Sequence, residues 1–152
     1  MVDFKLKIQP MTHGPKNHWF GYYGKTPWSL DGKIMLVMES DFGQRSPRPM
    51  DCIRLGMIET DGEKYRIDTF AETNSWCWQA GCMLQWLPGA NRTVIYNVRE
   101  DNRFASVVHD LNTGAKRMLP LPIFCMSPDG KTALSINFSR LARYRPGYGY
   151  AG

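Results

Sequence analysis

The sequence has few of the patterns that mark metal sites, signal peptides or membrane segments. Only three of its 152 residues are histidines, none in a paired ligand spacing, and the four cysteines are too irregularly spaced for a zinc ribbon. The N-terminus, MVDFKLKIQP, lacks the unbroken apolar run of a signal peptide. No stretch approaches the roughly 20 apolar residues of a membrane span. These absences predict a cytoplasmic protein with buried free thiols, no metal site and no membrane partner.

Catalytic and nucleic-acid signatures are also missing. The chain has no phosphate-binding loop, nucleophile elbow or paired-carboxylate pattern, so we predict no cofactor and cannot name a catalytic residue. The 19 basic and 14 acidic residues give a net charge of +5. That charge is scattered rather than gathered into a stripe, which predicts no nucleic-acid partner. Whether the protein is an enzyme stays open at this point.

What the sequence does contain is a repeated turn. Residues 27–38, PWSLDGKIMLVM, are echoed by residues 125–136, CMSPDGKTALSI. In both copies an Asp can bond its own backbone, and the following Gly32 or Gly130 supplies the positive φ that closes the turn. With 43% apolar and 12% aromatic residues, the chain can bury a core. We therefore predict a single repeat domain over residues 1–152.

Strand-like stretches between turn signals divide this domain into three units, over residues 18–72, 76–120 and 121–152. The predicted strands are His18–Tyr23, Lys33–Glu39, Ile53–Glu59 and Lys64–Phe70 in the first unit, Met83–Pro88, Thr93–Val98, Phe104–Asp110 and Lys116–Leu119 in the second, and Ile123–Ser127 and Thr132–Phe138 in the third. An edge strand is also predicted over Val2–Ile8. Asp41–Asp51 is predicted to be a long loop of the kind that often carries function. Helical periodicity is almost absent, and only Ser139–Tyr144 could form a short helical turn.

The spacing of the units predicts the architecture. Trp28, Trp86 and Met126 occupy equivalent positions separated by about 58 and about 40 residues, and about 40 residues is the usual period of a propeller blade. The predicted fold is all-β, with about two and a half four-stranded blades of a β-propeller, a fragment of a larger ring. A β-sandwich of about ten strands and a ring closed by several copies are the alternatives. Bare blade faces would promote self-association.

Several stretches carry a resemblance to a known family. They are His18–Trp28 (HWFGYYGKTPW), Trp76–Pro88 (WCWQAGCMLQWLP), Tyr96–Ser106 (YNVREDNRFAS), the Ser-Pro-Asp-Gly-Lys turn and Ser139–Gly152. Together they resemble bacterial TolB-like, or tricorn N-terminal-like, β-propellers, and more distantly the propeller of oligogalacturonate lyases. The lyase resemblance implies a metal held by several His and a Gln near the axis, and a basic group that removes a proton next to a carboxylate. Because this chain has so few histidines, no lyase residue is carried over.

Seven residues are predicted to contact a ligand at the axial funnel of the propeller: His18, Tyr22, Trp76, Trp78, Gln79, Arg140 and Arg143. Two Trp faces with an amide between them suit a sugar ring, although the Trp side chains could instead pack between blades. His18 is a candidate for proton exchange, or for bonding a neighbouring loop. Strand alternation predicts that Tyr22 and Tyr23 face opposite ways, so that only one can join a site. The two Arg side chains could bind an acidic saccharide or pair with acidic groups of further blades.

These observations predict a ligand-binding or interaction scaffold that recognises a carbohydrate or another small polar ligand. One alternative is an enzyme of the polysaccharide-lyase type whose site is completed by further blades. The other is a protein-interaction propeller without a small ligand. Propeller sites draw single residues from many blades, so the lack of a local motif excludes none of the three.

Overall fold

Ten strands and one short helix make up the fold in the computed structural model, which describes residues 8–43, 45–61 and 65–152. The strands are β1 (Asn17–Trp19), β2 (Ile34–Ser40), β3 (Ile53–Glu59), β4 (Asp68–Thr73), β5 (Gln85–Trp86), β6 (Thr93–Glu100), β7 (Arg103–Asp110), β8 (Lys116–Leu119), β9 (Cys125–Met126) and β10 (Ala133–Leu134), and the helix is α1 (Phe138–Tyr144). Most of the edge strand predicted over residues 2–8 lies outside the described residues.

The strands form antiparallel sheets that follow the chain order. Sheet 1 runs β1-β2-β3-β4, sheet 2 runs β5-β6-β7-β8, and sheet 3 is the hairpin of β9 and β10. With 37% of residues in strands and 5% in helix, the predicted all-β class is confirmed. The boundaries differ most in sheet 1. There the first strand ends at Trp19 instead of Tyr23, because the chain turns where the Lys25 N–H donates to the Tyr22 carbonyl at 2.9 Å.

The fourth strand of sheet 1 also begins later than predicted. Pairing with β3 starts at Asp68 rather than at Lys64, which lies outside the described residues, and the register shifts between Leu55 and Gly56. The side chain of Ile67 lies directly over Gly56, where a Cβ would stand only 2.6 Å from Ile67 Cγ2. A glycine in a strand commonly marks such a close approach.

The repeated turn has the same hydrogen bonds in both copies. Ser29 Oγ donates to Asp31 Oδ1 at 2.6 Å, and the Lys33 N–H donates to the same oxygen at 3.1 Å. In the second copy, Ser127 Oγ and the Lys131 N–H donate to Asp129 Oδ1 at the same two distances. Gly32 and Gly130 have φ of 71° and 68°. The turn chemistry predicted from the sequence is confirmed.

Sheet 2 is buried on both faces. On β6, Val94 and Tyr96 belong to the core shared with sheet 1, which includes Leu36, Leu55 and Trp76. Ile95 faces the opposite way and belongs to a second core with residues from the third unit. Because successive side chains of a strand point to opposite faces, the three units pack in series with sheet 2 in the middle.

The C-terminal segment packs back onto this second core. The Asn137 side chain caps α1 by accepting the Arg140 N–H at 2.8 Å. Phe138, at the start of the helix, stacks on Tyr150 with ring centroids 4.0 Å apart. The predicted helical turn is therefore confirmed. No helix in the described part of the chain has the length and apolarity needed to cross a bilayer.

Candidate functional site

The Trp78 cavity is a concave surface of about 550 Å³ lined by Asn17, Gly43, Arg45, Ser46 and Trp78. Its walls come from the start of β1, from the long loop between β2 and β3, and from the connection between β4 and β5. The loop that the sequence singled out as a carrier of function thus forms one side of the cavity. The Trp-rich connection forms the other side.

Two indole N–H groups hold the loop against this connection. Trp78 Nε1 donates to the Arg45 carbonyl at 2.7 Å, and Trp76 Nε1 donates to the Asp51 carbonyl at 2.7 Å. Trp76 is 1% exposed, whereas Trp78 is only half-buried and lines the cavity. Trp76 therefore supports the site from behind, and Trp78 presents a surface that a ligand can reach.

Trp78 is backed by other aromatic rings. The centroid of Trp19 lies 4.8 Å from that of Trp78, and Trp76 meets Trp78 edge to face at 4.9 Å. Phe42 lies 5.9 Å from Trp78. Because aromatic pairs at these separations attract each other beyond simple burial, the Trp78 ring is held in one orientation.

A charged pair fixes the other wall. Arg45 donates two hydrogen bonds to Asp51, from Nη1 to Oδ2 at 2.5 Å and from Nη2 to Oδ1 at 3.0 Å. The Arg45 guanidinium, helped by the Arg48 N–H, lowers the pKa of Asp51 to about 2. The guanidinium also lies 3.7 Å from the centre of the Phe42 ring. Arg45 thus connects two parts of the loop, Phe42 and Asp51.

Gln79 follows Trp78 but does not join the cavity wall. It is exposed, and the cavity is lined by Trp78 instead. The amide that does line the cavity belongs to Asn17, at the start of β1, which was not predicted from the sequence. No sequence signal marks Asn17, because its role depends on the pairing of β1 with the end of β2.

His18 lies on the opposite side of β1, in what we call the Glu39 pocket. This pocket of about 260 Å³ is lined by His13, Lys16, His18, Glu39 and Tyr65, among others. His18 and Glu39 are register partners in the β1–β2 pair, so their side chains share a face, while the next residue, Trp19, faces Trp78. The structure therefore separates His18 from the predicted Trp residues.

Glu39 is the centre of a charged network in this pocket. Its Oε1 accepts hydrogen bonds from Lys16 Nζ at 2.8 Å and Arg54 Nε at 2.5 Å, and its Oε2 lies 3.0 Å from His18 Nε2. Burial alone would raise the pKa of Glu39, but the hydrogen bonds from Lys16, Arg54 and His18 outweigh it and hold the pKa at about 2. A signal for this site was present in the sequence, because Glu39 is a charged residue inside an otherwise apolar strand.

Tyr22 and Tyr23 do not face opposite ways, which makes the prediction of alternation wrong. Their ring centroids are 4.1 Å apart, and Tyr22 OH donates to Tyr23 OH at 3.0 Å. The reason is that β1 ends at Trp19, so both residues lie in a turn rather than in a strand. Tyr148 of the C-terminal segment meets Tyr22 at 6.1 Å. Tyr22 thus belongs to a tyrosine cluster apart from the two pockets.

Arg140 and Arg143 lie on α1, away from the Trp78 cavity. Both are exposed, and the Arg140 guanidinium lies 5.7 Å from the centre of the Tyr144 ring. Arg140 lines a third cavity of about 560 Å³ with Ile136, Asn137, Leu141 and Tyr144. Six of the seven predicted ligand residues are therefore distributed over four places, and Gln79 lies exposed outside all of them. Only Trp76 and Trp78 meet as expected.

Two of the four cysteines are more accessible than predicted. Cys77 and Cys82 are buried, but Cys52 is exposed and Cys125 is half-buried, and all four are free thiols. Cys52 is exposed because it stands at the end of the loop, just before β3 begins. Within the described ranges, no group of three or more His, Cys, Asp and Glu side chains is placed to hold a metal ion.

Comparisons with protein-family models, curated proteins and solved structures found no match. The resemblance to TolB-like and oligogalacturonate lyase propellers therefore rests on the quoted stretches alone and stays a prediction.

Proposed function

We propose that this chain is part of a β-propeller scaffold that binds a small saccharide in the Trp78 cavity. Two successive four-stranded antiparallel sheets and a third hairpin with the same turn support the propeller arrangement. In this proposal β1, β5 and β9 are the inner strands, and the connection that carries Trp78 leads into the inner strand β5.

The proposal depends mainly on the half-buried Trp78 ring, which packs against Trp19 and Trp76 on one side and has polar groups beside it. A sugar ring offers apolar C–H faces that pack on an indole and hydroxyl edges that need hydrogen-bond partners. Asn17 and Ser46 supply both donors and acceptors, and Arg45 adds a guanidinium beside the aromatic face. A cavity of about 550 Å³ falls within the usual size range of small-molecule sites.

The test is a titration of the protein with neutral and acidic oligosaccharides, followed by tryptophan fluorescence and calorimetry. Trp78→Ala is expected to weaken binding at least about tenfold, because each 1.4 kcal/mol of lost stacking is worth that factor. The matched control is Trp28→Ala, because Trp28 is 42% exposed and lies outside the cavity. Equal affinity in the wild-type protein and the Trp78 variant would contradict the proposal. Tighter binding of acidic than of neutral oligosaccharides would show that the site selects for negative charge.

A second candidate function is protein interaction through the third unit. Three apolar side chains are exposed there, with Leu121 at 63%, Phe124 at 37% and Leu134 at 62%. Phe124 and Leu134 are neighbours, because the Phe124 N–H donates to the Leu134 carbonyl at 2.8 Å, and adjacent exposed apolar side chains are typical of an interaction surface. Sedimentation velocity over a range of protein concentrations tests it, since self-association through this surface predicts a rising average mass that Leu134→Glu abolishes.

The polysaccharide-lyase alternative has less support from the geometry. Its family pattern needs a metal held by several histidines, and across the described residues the structure offers no such cluster. Conversion of an acidic oligosaccharide into an unsaturated product during the saccharide titration would nevertheless support this alternative.

A further inference from the structure

We propose that the Glu39 pocket is a second binding site, specific for a small oxyanion such as a carboxylate or a phosphate. The pocket lies on the opposite side of β1 from the Trp78 cavity, so the inference is independent of saccharide binding. Some polar groups of the pocket already have hydrogen-bond partners within the protein, and others have donors that a ligand can use.

The negative charges in and beside the pocket are already compensated. Both oxygens of Glu39 accept hydrogen bonds from cationic or imidazole donors. Asp41 accepts from Arg54 Nη2 at 2.6 Å, and Lys16 Nζ lies 3.7 Å from the same oxygen. An incoming anion therefore meets carboxylates whose charge is offset by Lys16 and Arg54, rather than a free negative surface.

The donors left over belong to the residues that line the pocket. Lys16 has three N–H groups and its hydrogen bond to Glu39 uses one, and the Lys16 side chain is 42% exposed. His13 is exposed and offers a ring N–H in either charge state. Thr12 and Tyr65 add hydroxyl groups to the wall. Hydroxyl, imidazole and ammonium donors around one small cavity form the set that binds an oxyanion.

His18 completes the site in an orientation fixed by Glu39. An ionised carboxylate can only accept hydrogen bonds, so His18 Nε2 carries the hydrogen that is shared with Glu39 Oε2. Nδ1 is then the remaining ring nitrogen. In the neutral ring it accepts a hydrogen bond, for example from a protonated phosphate oxygen, and it donates to an oxyanion only when it carries a second proton. Because the β1–β2 register holds His18 opposite Glu39, the ring is preorganised and little side-chain entropy is lost on binding.

The size of the pocket limits the ligand. At about 260 Å³ it lies just below the range of drug-sized sites. It suits a single acidic group with a small body. Lys16 and His18 already donate to Glu39, so the pocket offers the remaining donors of Lys16 and His13 rather than three free positive charges.

The test uses the fact that the chain has only three histidines. Long-range ¹H–¹⁵N spectra of the imidazole rings are recorded while inorganic phosphate, or separately sodium acetate, replaces chloride at constant pH and ionic strength. We expect saturable shifts at His13 and His18. His109 is the internal control, because it is 4% exposed and packs between Tyr96 and Phe70.

Variants locate the site. Lys16→Met is expected to raise the dissociation constant about tenfold, the loss of one charge-assisted hydrogen bond, and Lys16→Arg to restore part of the affinity. Lys131→Met is the matched control, because it removes the same charge from an exposed turn. His13→Ala provides a second test if circular dichroism shows that Lys16→Met has not folded.

A response of His13 and His18 to either anion, weakened by Lys16→Met or His13→Ala but not by Lys131→Met, supports the proposal. The anion that binds more tightly then identifies the ligand as a phosphate or a carboxylate. The proposal is overturned if neither anion shifts these rings more than chloride does, if His109 shifts equally, or if Lys131→Met weakens binding as much as Lys16→Met.

Discussion

Asn97 and Ile123 are joined by two hydrogen bonds that connect sheet 2 to the third unit. Asn97 Nδ2 donates to the Ile123 carbonyl at 2.9 Å, and the Ile123 N–H donates to Asn97 Oδ1 at 2.6 Å. The Asn97 side chain also donates to Tyr150 OH at 2.8 Å, and Asn97 is fully buried. One amide therefore satisfies polar groups of two segments that are distant from it in the chain.

Replacing Asn97 with Ala is expected to destabilise the protein by about 3 kcal/mol, because it leaves a buried N–H and a buried carbonyl of Ile123 without partners. Urea unfolding followed by tryptophan fluorescence measures this loss. Asn112→Ala is the matched control, because Asn112 is exposed in the turn before β8. A loss of similar size in both variants would show that the Asn97 bridge does not hold the units together.

The two copies of the repeated turn give a second prediction, because their glycines differ in surroundings. Both have positive φ, so Gly32→Ala is expected to cost about 1 kcal/mol from backbone strain alone, since nothing lies within 4 Å of the added Cβ. At Gly130 the added Cβ would stand 2.8 Å from the Pro88 carbonyl oxygen. Gly130→Ala is therefore expected to cost about 3 kcal/mol in the same unfolding measurement. Equal costs would mean that the third unit does not pack against the Pro88 turn.

The all-β class and the repeated turn could be predicted because both depend on residues close in sequence. The Ser-x-Asp-Gly-Lys pattern specifies its own hydrogen bonds, and the alternating stretches around β2, β3, β6 and β7 specify their own strands. The end of β1 could not be predicted, because it depends on the turn at Tyr22 and on the close approach of Gly21 to Ala80, where a Cβ would lie 3.0 Å from the carbonyl oxygen. That contact joins parts of the chain that are distant in sequence.

The candidate site was predicted less completely for the same reason. Trp78 was found because an aromatic cluster next to a strand entrance is visible in the sequence. Asn17 and Arg45 were not found, since each acquires its role from a long-range contact. The Glu39 network was also missed, although a lone acidic residue in an apolar strand is a signal that a buried partner should be sought.

The lowered pKa of Glu39 predicts that the stability of the protein depends on pH. Its pKa is about 2 in the folded protein, against an ordinary value of 4.5. Since the unfolded chain takes up a proton near pH 4.5 and the folded protein does not, the stabilisation is complete above that pH. It is lost progressively as the pH falls toward about 2. Urea unfolding at a series of pH values in this window measures the slope.

Glu39→Gln is expected to lower stability at neutral pH by about 2 kcal/mol and to make the acid slope shallower, because the group that titrates is gone. Some slope will remain, since Asp51 also has a pKa of about 2 through its pair with Arg45. Glu72→Gln is the matched control, because it makes the same substitution at an exposed carboxylate on β4. An unchanged slope in the Glu39 variant would contradict the network described for the pocket.

The thiols test the packing of the units. Cys82 is fully buried between sheets 1 and 2, and burial raises its pKa to about 12. Burial also raises the pKa of Cys77. Partial burial and the nearby carboxylates of Glu72 and Asp51 raise the pKa of Cys52 as well, but Cys52 is the exposed thiol that a reagent can reach. Because the thiolate is the reactive form, a thiol reagent at mildly alkaline pH should label Cys52 first and leave Cys77 and Cys82 unlabelled until the protein unfolds.

The control is the Cys52→Ser variant, which should lack the fast phase of labelling. Mass spectrometry of the labelled peptides assigns each phase to a cysteine. Rapid labelling of Cys82 in the native protein would contradict the tight packing of sheets 1 and 2 around this thiol.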